Sequence, residues 1–279
     1  MNFNGESGMT KVVNVCGVKF GGKNPLALIA GPCVIESREG CMAIADKLVK
    51  MAKKLNIPLV FKASYDKANR TSIKAYRGPG IAKGLEILAE IKAKYNVPVL
   101  TDVHSIEEIH IASQVVDIIQ LPAFLIRQTD LVVAAGESGA VVNVKKAQFL
   151  APWDMKNVVK KLEETGNTKI MLTERGASFG YNTLVADMRS LVILREMGYP
   201  VIFDATHSVQ SPGGKGDSSG GDGRFAPYLA KAAVAVGVDG LFIETHPDPS
   251  KALSDGPNMI PTSELSGLWK KLNAINEVK

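Results

Sequence analysis

The chain has 279 residues, 46% hydrophobic and 22% charged, a balance that excludes intrinsic disorder and suits one globular domain with a sizeable core. No apolar run reaches the roughly 18 residues of a membrane span, and residues 1–10 lack the apolar centre of a secretory signal, so a cytoplasmic protein without a membrane partner is expected. The net charge of +5 is spread along the chain with no basic run of five, which argues against nucleic acid and for small anionic, phosphorylated ligands.

Residues 1–10 read as a flexible N-terminus and 11–279 as one domain. Residues 12–20 alternate enough for a strand or half a hairpin, expected to cap the bottom of the barrel that the later segments predict. From Leu26 onward, short apolar runs alternate with longer amphipathic stretches, the pattern of a parallel sheet covered by helices. Strands are predicted at 26–30, 59–62, 97–101, 116–120, 141–143, 169–173, 201–204 and 241–244. The helical patterns between them include 41–55, 81–95, 155–164, 183–197 and 228–236. A last helix over 262–278 has Thr262 as its expected cap and Leu265, Leu268 and Leu272 on one face. Eight βα units without a linker give a single-domain (β/α)8 TIM barrel, with a doubly wound open sheet as the alternative. One long glycine-rich loop, residues 211–224, interrupts the seventh unit and reads as a mobile lid or a partly disordered segment. Three cysteines, Cys16, Cys33 and Cys41, are too few for a disulfide framework, and Cys16 and Cys41 are expected to fill the core.

Barrel enzymes gather their chemistry at the C-terminal ends of the strands. Polar residues stand there repeatedly: Cys33; Lys62, Asp66, Lys67, Asn69 and Arg70; Asp102 and His104; Gln120; Asn143, Lys145 and Lys146; Glu174 and Arg175; Asp204 and His207; Glu244 and His246; then Asp255. Lys62, Lys67, Arg70, Lys145 and Arg175 form a cationic group, and cations converging on one mouth call for phosphate or carboxylate between them. The plainer reading of any one of them is a solvated surface charge. Cys33, His207, Glu244 and Asp255 form a second group whose mixed donors suit Zn²⁺, Fe²⁺ or Mn²⁺. These four have no local spacing signature, a buried thiol and a structural histidine would serve as well, and His104 and His246 are equally open as ligands. His110 lies inside a helical pattern and reads as surface or packing.

The motifs Ala30-Gly31-Pro32-Cys33, Phe61-Lys62-Ala63-Ser64, Asp66-Lys67-Ala68-Asn69-Arg70 and Gln120-Leu121-Pro122-Ala123-Phe124 resemble the 3-deoxy-D-manno-octulosonate 8-phosphate synthases. So do Asn143-Val144-Lys145-Lys146, Thr173-Glu174-Arg175-Gly176, Asp204-Ala205-Thr206-His207-Ser208-Val209-Gln210, Glu244-Thr245-His246-Pro247 and Ser254-Asp255-Gly256-Pro257. The resemblance runs from about Val12 to the end of the chain. It implies a barrel, a homotetramer, and condensation of phosphoenolpyruvate with arabinose 5-phosphate for the lipopolysaccharide inner core. Lys62, Lys67, Gln120, Lys145 and Arg175 would hold phosphoenolpyruvate; Asn69, Arg70 and Thr71 would grip the sugar phosphate, with Arg70 on its phosphate. The family commonly has Ser at the place of Thr71. Lys62, Lys67, His207 and Asp255 would be the catalytic residues.

Members with Cys at the position of Cys33 resemble the metal-dependent class and members with Asn work without metal, so the resemblance implies a divalent metal ion on Cys33, His207, Glu244 and Asp255. The loop 211–224 would fold over the substrates. Rivals are the related synthase that makes a seven-carbon product from erythrose 4-phosphate, the sialic-acid type synthases, a metal-dependent aldolase and a non-catalytic sugar-phosphate-binding barrel. Asn69 in Lys67-Ala68-Asn69-Arg70 favours the five-carbon sugar, whereas Thr71-Ser72 leans towards erythrose 4-phosphate.

Overall fold

The chain enters through an antiparallel hairpin, β1 (Val13–Val15) and β2 (Val18–Phe20), whose turn places Cys16 at φ 48° and Gly17 at φ 93°. The barrel strands come next in this computed structural model, which describes residues 9–213 and 220–278. They are β3 (Ala27–Gly31), β4 (Leu59–Lys62), β5 (Val99–Asp102), β6 (Ile118–Leu121), β7 (Val141–Lys145) and β8 (Ile170–Glu174). A two-residue antiparallel pair, β9 (Ala177–Ser178) and β10 (Leu184–Val185), precedes β11 (Val201–Asp204). Another such pair, β12 (Gln210–Ser211) and β13 (Gly220–Gly221), precedes β14 (Gly240–His246), to whose end β15 (Ile260–Pro261) is joined.

Strands β3 to β8, β11 and β14 pair in parallel in chain order, and β14 closes back onto β3, so the expected barrel is the observed one. A helix follows each strand: α1 (Arg38–Leu55), α2 (Ile81–Tyr95), α3 (Ile106–Ala112), α4 (Thr129–Glu137), α5 (Met155–Glu164), α6 (Arg189–Arg195), α7 (Ala226–Val236) and α8 (Leu265–Val278). In α1 the buried side chains Cys41, Ile44, Ala45, Leu48 and Ala52 recur at helical spacing, and the Ser37 hydroxyl accepts from Gly40 N at 3.0 Å to start it.

Parallel strands covered on both faces read as continuous apolar runs, and alternate residues divide between two cores. Leu28 and Ala30 of β3 face the helices in the large outer cluster. Ala27 and Ile29 face inward, where they meet Val60, Leu100, Ile118, Val141, Met171, Ile202 and Phe242. Val13, Val15 and Phe20 of the hairpin pack into that same inner cluster, which closes the bottom of the barrel as expected.

Three expectations are corrected, for Cys16, for residues 183–197 and for Thr262. Cys16 is exposed, not a core filler, because it sits in the hairpin turn; its thiol donates to Asp117 Oδ1 at 3.1 Å. The helix expected at 183–197 starts only at Arg189: Leu184 and Val185 pair instead with Ser178 and Ala177, and the Asp187 carboxylate accepts from Arg189 N at 3.0 Å. Thr262 does not cap the last helix, which begins at Leu265; its hydroxyl lies 3.0 Å from that of Thr245, tying β15 to β14. Of the flexible segment expected over residues 1–10, residues 1–8 lie outside the described residues; Met9 is exposed, and Thr10 is buried with its hydroxyl accepting from Gly22 N. Of the lid expected over 211–224, residues 214–219 likewise lie outside, and the flanks pair as β12 and β13. No helix of the described residues is long and apolar enough to cross a membrane.

Candidate active site

The two-residue period that builds the inner core also builds the site. Two positions beyond each apolar inward residue stands an inward polar one: Lys62 above Val60, Asp102 above Leu100, Gln120 above Ile118, Asp204 above Ile202 and Glu244 above Phe242. On β7 the series is Val141, Asn143, Lys145; on β8 it is Met171, Thr173, then Arg175 just past the strand. All of these polar residues are buried, so each must find a partner. Asn143 Nδ2 donates to Gln120 Oε1 at 3.0 Å, and Thr173 Oγ1 donates to Asn143 Oδ1 at 2.6 Å. The backbone must also come close: a Cβ on Gly31 would lie 1.8 Å from the Lys62 carbonyl oxygen, so only glycine fits where β3 passes Lys62.

Above this layer lie two cavities, of about 430 and 330 Å³. Both are lined by Lys67, Asn69, Thr71, Arg175, His207 and Gln210, so they form one continuous mouth with two compartments. The larger reaches down to Lys62, Gln120, Lys145 and Glu244; the smaller takes in Arg70 and Asp255. Every substrate-binding position expected from the sequence therefore borders this mouth: Asn69, Arg70, Thr71, Gln120, Lys145 and Arg175.

The lysines are individually compensated. Lys62 Nζ lies 2.5 Å from Glu244 Oε1 and donates to the Cys33 carbonyl at 2.9 Å. Lys145 is ion-paired with Asp204 and sits over the Phe242 ring. Lys67 Nζ lies 3.6 Å from Asp102 Oδ2. Burial pulls the Lys145 pKa down to about 8 against the pull of Asp204, whereas at Lys67 burial is outweighed by Asp102 and the pKa is raised. Burial opposes charge on Asp204 too, but His207 and Lys145 hold it well below the usual carboxylate range. The arginines differ. Arg70 donates through Nε to the Tyr76 carbonyl at 3.1 Å, and Arg175 through Nη2 to Gln210 Oε1 at 2.9 Å. Arg70 Nη2 and Arg175 Nη1 are nevertheless buried without a hydrogen-bond partner among the described residues.

The four expected metal ligands converge from strand β14, which carries Glu244, and from the stretches after β3, β11 and β14, which carry Cys33, His207 and Asp255. Ligand atoms of Cys33, Glu244 and Asp255 lie within 4.8 Å of one another, a grouping that could hold a metal ion. His207 Nε2 lies 3.5 Å from both Glu244 Oε2 and Asp255 Oδ2. Its Nδ1 lies 2.7 Å from Asp204 Oδ2, an outer contact of the kind that fixes the ring orientation of metal-binding histidines. Burial, reinforced by Glu244, raises the Cys33 thiol pKa. At His207 burial is overcome by Asp204 and Glu244, and its pKa is raised as well. His104 and His246 turn elsewhere, His104 to Asp102 and Glu108, and His246 to Glu36 and Asp248.

The strand-end residues Asp66, Lys146 and Glu174 are not among the lining of this mouth. Asp66 pairs with Arg77. Lys146 lies 3.6 Å from Glu174 and donates to the carbonyls of Ala147 and Leu150, while Glu174 Oε1 accepts from Arg175 N and Gly176 N. Ser254, whose Oγ lies 2.7 Å from Cys33 Sγ, and Glu108, which receives Tyr65 OH at 2.7 Å, carry no signal in the sequence beyond polarity.

The chain matches the model of the DAHP synthetase I family over residues 7–278. It is 59% identical over 270 residues to the 2-dehydro-3-deoxyphosphooctonate aldolase of Geobacter metallireducens, covering 97% of this chain and 99% of the relative. Proteins of the same name from Geotalea uraniireducens and Trichlorobacter lovleyi are each 60% identical over the same shares. With the barrel complete and the match spanning nearly all of it, the chain belongs to the DAHP synthetase I family.

Proposed function

We infer that this protein joins phosphoenolpyruvate, arabinose 5-phosphate and water to give 3-deoxy-D-manno-octulosonate 8-phosphate and phosphate, a transferase reaction serving the lipopolysaccharide inner core. The observation that carries the reading is the pair of buried, unpartnered guanidinium nitrogens, Arg70 Nη2 and Arg175 Nη1, at a mouth with two compartments. A buried donor without a partner is costly, and planar anions such as phosphate and carboxylate satisfy it best. Two such donors in one mouth suit two anionic substrates. The relatives' names denote an eight-carbon sugar acid phosphate, which selects the five-carbon sugar phosphate as the second substrate.

In the reaction, C3 of phosphoenolpyruvate attacks the aldehyde carbon of the open-chain sugar, water adds at C2, and the resulting phospho-hemiketal releases phosphate. Lys62, Lys67, Gln120, Lys145 and Arg175 hold phosphoenolpyruvate deep in the larger compartment, and Lys62 and Lys67 place positive charge against the developing oxyanion. Asn69, Arg70 and Thr71 hold the sugar phosphate at the smaller compartment. His207 and Asp255 border the reacting atoms, where the proton of the incoming water must go.

The donor set of Cys33, His207, Glu244 and Asp255 fits a divalent cation, with one thiol, one imidazole and two carboxylates suited to Zn²⁺, Fe²⁺ or Mn²⁺. When bound, such a cation supplies positive charge that polarises an oxygen of substrate or water. Its binding must displace the protons that Cys33 and His207 hold, so affinity falls as pH falls. Phosphorylated substrates are retained inside the cell, which supports a cytoplasmic enzyme. Phe149, Trp153, Phe179 and Tyr181, all exposed in the segments after β7 and β8, support a homotetramer that covers them.

The test is phosphate release from phosphoenolpyruvate with arabinose 5-phosphate or erythrose 4-phosphate, before and after chelation and with divalent ions restored. Release with the five-carbon sugar, lost on chelation and regained with metal, is the expected result. Release with erythrose 4-phosphate alone overturns the substrate, and release indifferent to chelation overturns the metal.

A further inference from the structure

Asp255 cannot hold its place by its own backbone preference. It lies in the left-handed region at φ 50°, ψ 21°, a conformation that costs a non-glycine residue roughly 1 kcal/mol and persists only where surrounding contacts impose it. Gln210 and His207 reach the Asp255 carboxylate, and the stretch that leads into it is tied to the loop after β3, which also carries Cys33. Glu36 Oε1 accepts from Leu253 N at 2.8 Å, two residues before Asp255. Glu36 Oε2 lies 3.7 Å from His246 Nε2, at the end of β14. The ring is held in that direction from its other side, where His246 Nδ1 lies 2.7 Å from the Asp248 carbonyl oxygen and 3.1 Å from Asp248 N. Glu36 is itself anchored: Tyr76 OH donates to the carbonyls of Ile35 at 2.9 Å and Glu36 at 3.2 Å. Between these ties, Ser254 Oγ reaches Cys33 Sγ.

We propose that Glu36 is a positioning residue for the cation site, a clamp that holds the Leu253–Ser254–Asp255 stretch against the loop of Cys33 so that thiol and carboxylate stay within reach of one cation. This rests on the ligand reading given above. Glu36 touches neither ligand side chain; it acts through the backbone of Leu253 and the ring of His246. The Leu253 side chain is exposed, so packing cannot replace the hydrogen bond at its amide. Outer groups that orient ligands in this way commonly govern affinity by about 10- to 100-fold.

The experiment titrates full-length, chelator-stripped protein with Co²⁺, following both heat and the cobalt–thiolate absorption, alongside thermal melts of the metal-free forms. For Glu36→Ala we expect a dissociation constant raised about tenfold or more with an unchanged metal-free melt. Glu36→Gln keeps an acceptor for Leu253 N and should recover most of the affinity. Glu36→Met, similar in length but without an acceptor, repeats the loss should the alanine variant fold poorly. Cys33→Ala serves as the control for the ligand set and should lose the thiolate band. Wild-type affinity in Glu36→Ala and Glu36→Met, with Cys33→Ala impaired, overturns the clamp and leaves the ligands standing. Failure of the wild-type protein to bind Co²⁺ overturns the ligand reading and the clamp with it.

Discussion

Replacing Asp204 by asparagine tests whether the ion pairs inside the barrel obey the physics assigned to them. Asp204 is fully buried, paired with Lys145, and bonded to His207 Nδ1 at 2.7 Å and His207 N at 2.9 Å. Breaking a buried pair from one side costs about 3–5 kcal/mol. Here the charge part of that cost is capped, because Lys145 has a pKa of about 8 and can shed its proton. At pH 7 that escape costs about 1.4 kcal/mol, and losing a charge-assisted hydrogen bond to His207 adds about 1.5–3 kcal/mol. The expected loss is therefore about 3–4 kcal/mol at pH 7, shrinking by about 1 kcal/mol at pH 9, where the escape costs nothing. Urea unfolding of metal-free protein at one fixed concentration measures it. The double variant Asp204→Asn, Lys145→Met should regain more than 1 kcal/mol of the summed single losses, since an apolar side chain removes the orphaned amine, with about 0.5 kcal/mol the limit of simple additivity. Additive losses, or a pH-independent cost, would refute the reasoning.

Four further outcomes are expected. His104, whose burial is overcome by Asp102 and Glu108, should titrate near its raised pKa of about 9 by NMR, and Glu108→Gln should lower that value. A raised histidine pKa means that this contribution to stability is complete below about pH 6.5 and lost as pH climbs to about 9, whereas Lys145, with its pKa lowered, makes stability rise between about pH 8 and 10.4. Cys33→Asn should abolish Co²⁺ binding and keep measurable turnover; turnover at background in a folded variant would contradict this. Gly31→Ala should melt far lower or fail to fold, because its Cβ would meet the Lys62 carbonyl at 1.8 Å, and a wild-type melt would mean that β3 can shift freely. Arg70→Ala should raise KM for arabinose 5-phosphate at least tenfold, with KM for phosphoenolpyruvate little changed; the reverse pattern would reassign the residue.

The barrel is legible because its signal is local. Each strand is a short apolar run, and strand ends moved by no more than two residues. β7 extends past the predicted 143 to Lys145, since a charge ends an apolar run in the sequence but not a strand whose charge has a buried partner in Asp204. The segment 183–197 misleads because Leu184 and Val185 keep helical spacing while serving a hairpin. The cationic mouth is legible from strand ends alone. The cation site is not, since Cys33, His207, Glu244 and Asp255 stand far apart in the chain with no local spacing between them, and only the family resemblance joined them before the geometry did. Glu36 was beyond reach for a further reason: its partner is a backbone amide more than 200 residues away, and amides have no identity in a sequence.

The division of labour among the cations follows from their chemistry. Lys62, Lys67 and Lys145 each face a carboxylate, of Glu244, Asp102 and Asp204, so their net charge in the resting site is small. Lys145 shows one way to tolerate such a place, since its lowered pKa lets it trade its proton, whereas at Lys67 the neighbouring Asp102 favours the charged form. An arginine cannot be deprotonated, so a guanidinium nitrogen left buried without an acceptor has no neutral refuge. Arg70 and Arg175 are each oriented by one hydrogen bond, to Tyr76 and Gln210, and each keeps another nitrogen unspent. A phosphate or carboxylate arriving at either nitrogen would supply the missing acceptor. On the proposed reading, affinity for the two substrates would rest on the arginines, and the paired lysines would respond as charge moves during the reaction. On this account Arg70→Lys is not a conservative change: it keeps the charge and removes the fork.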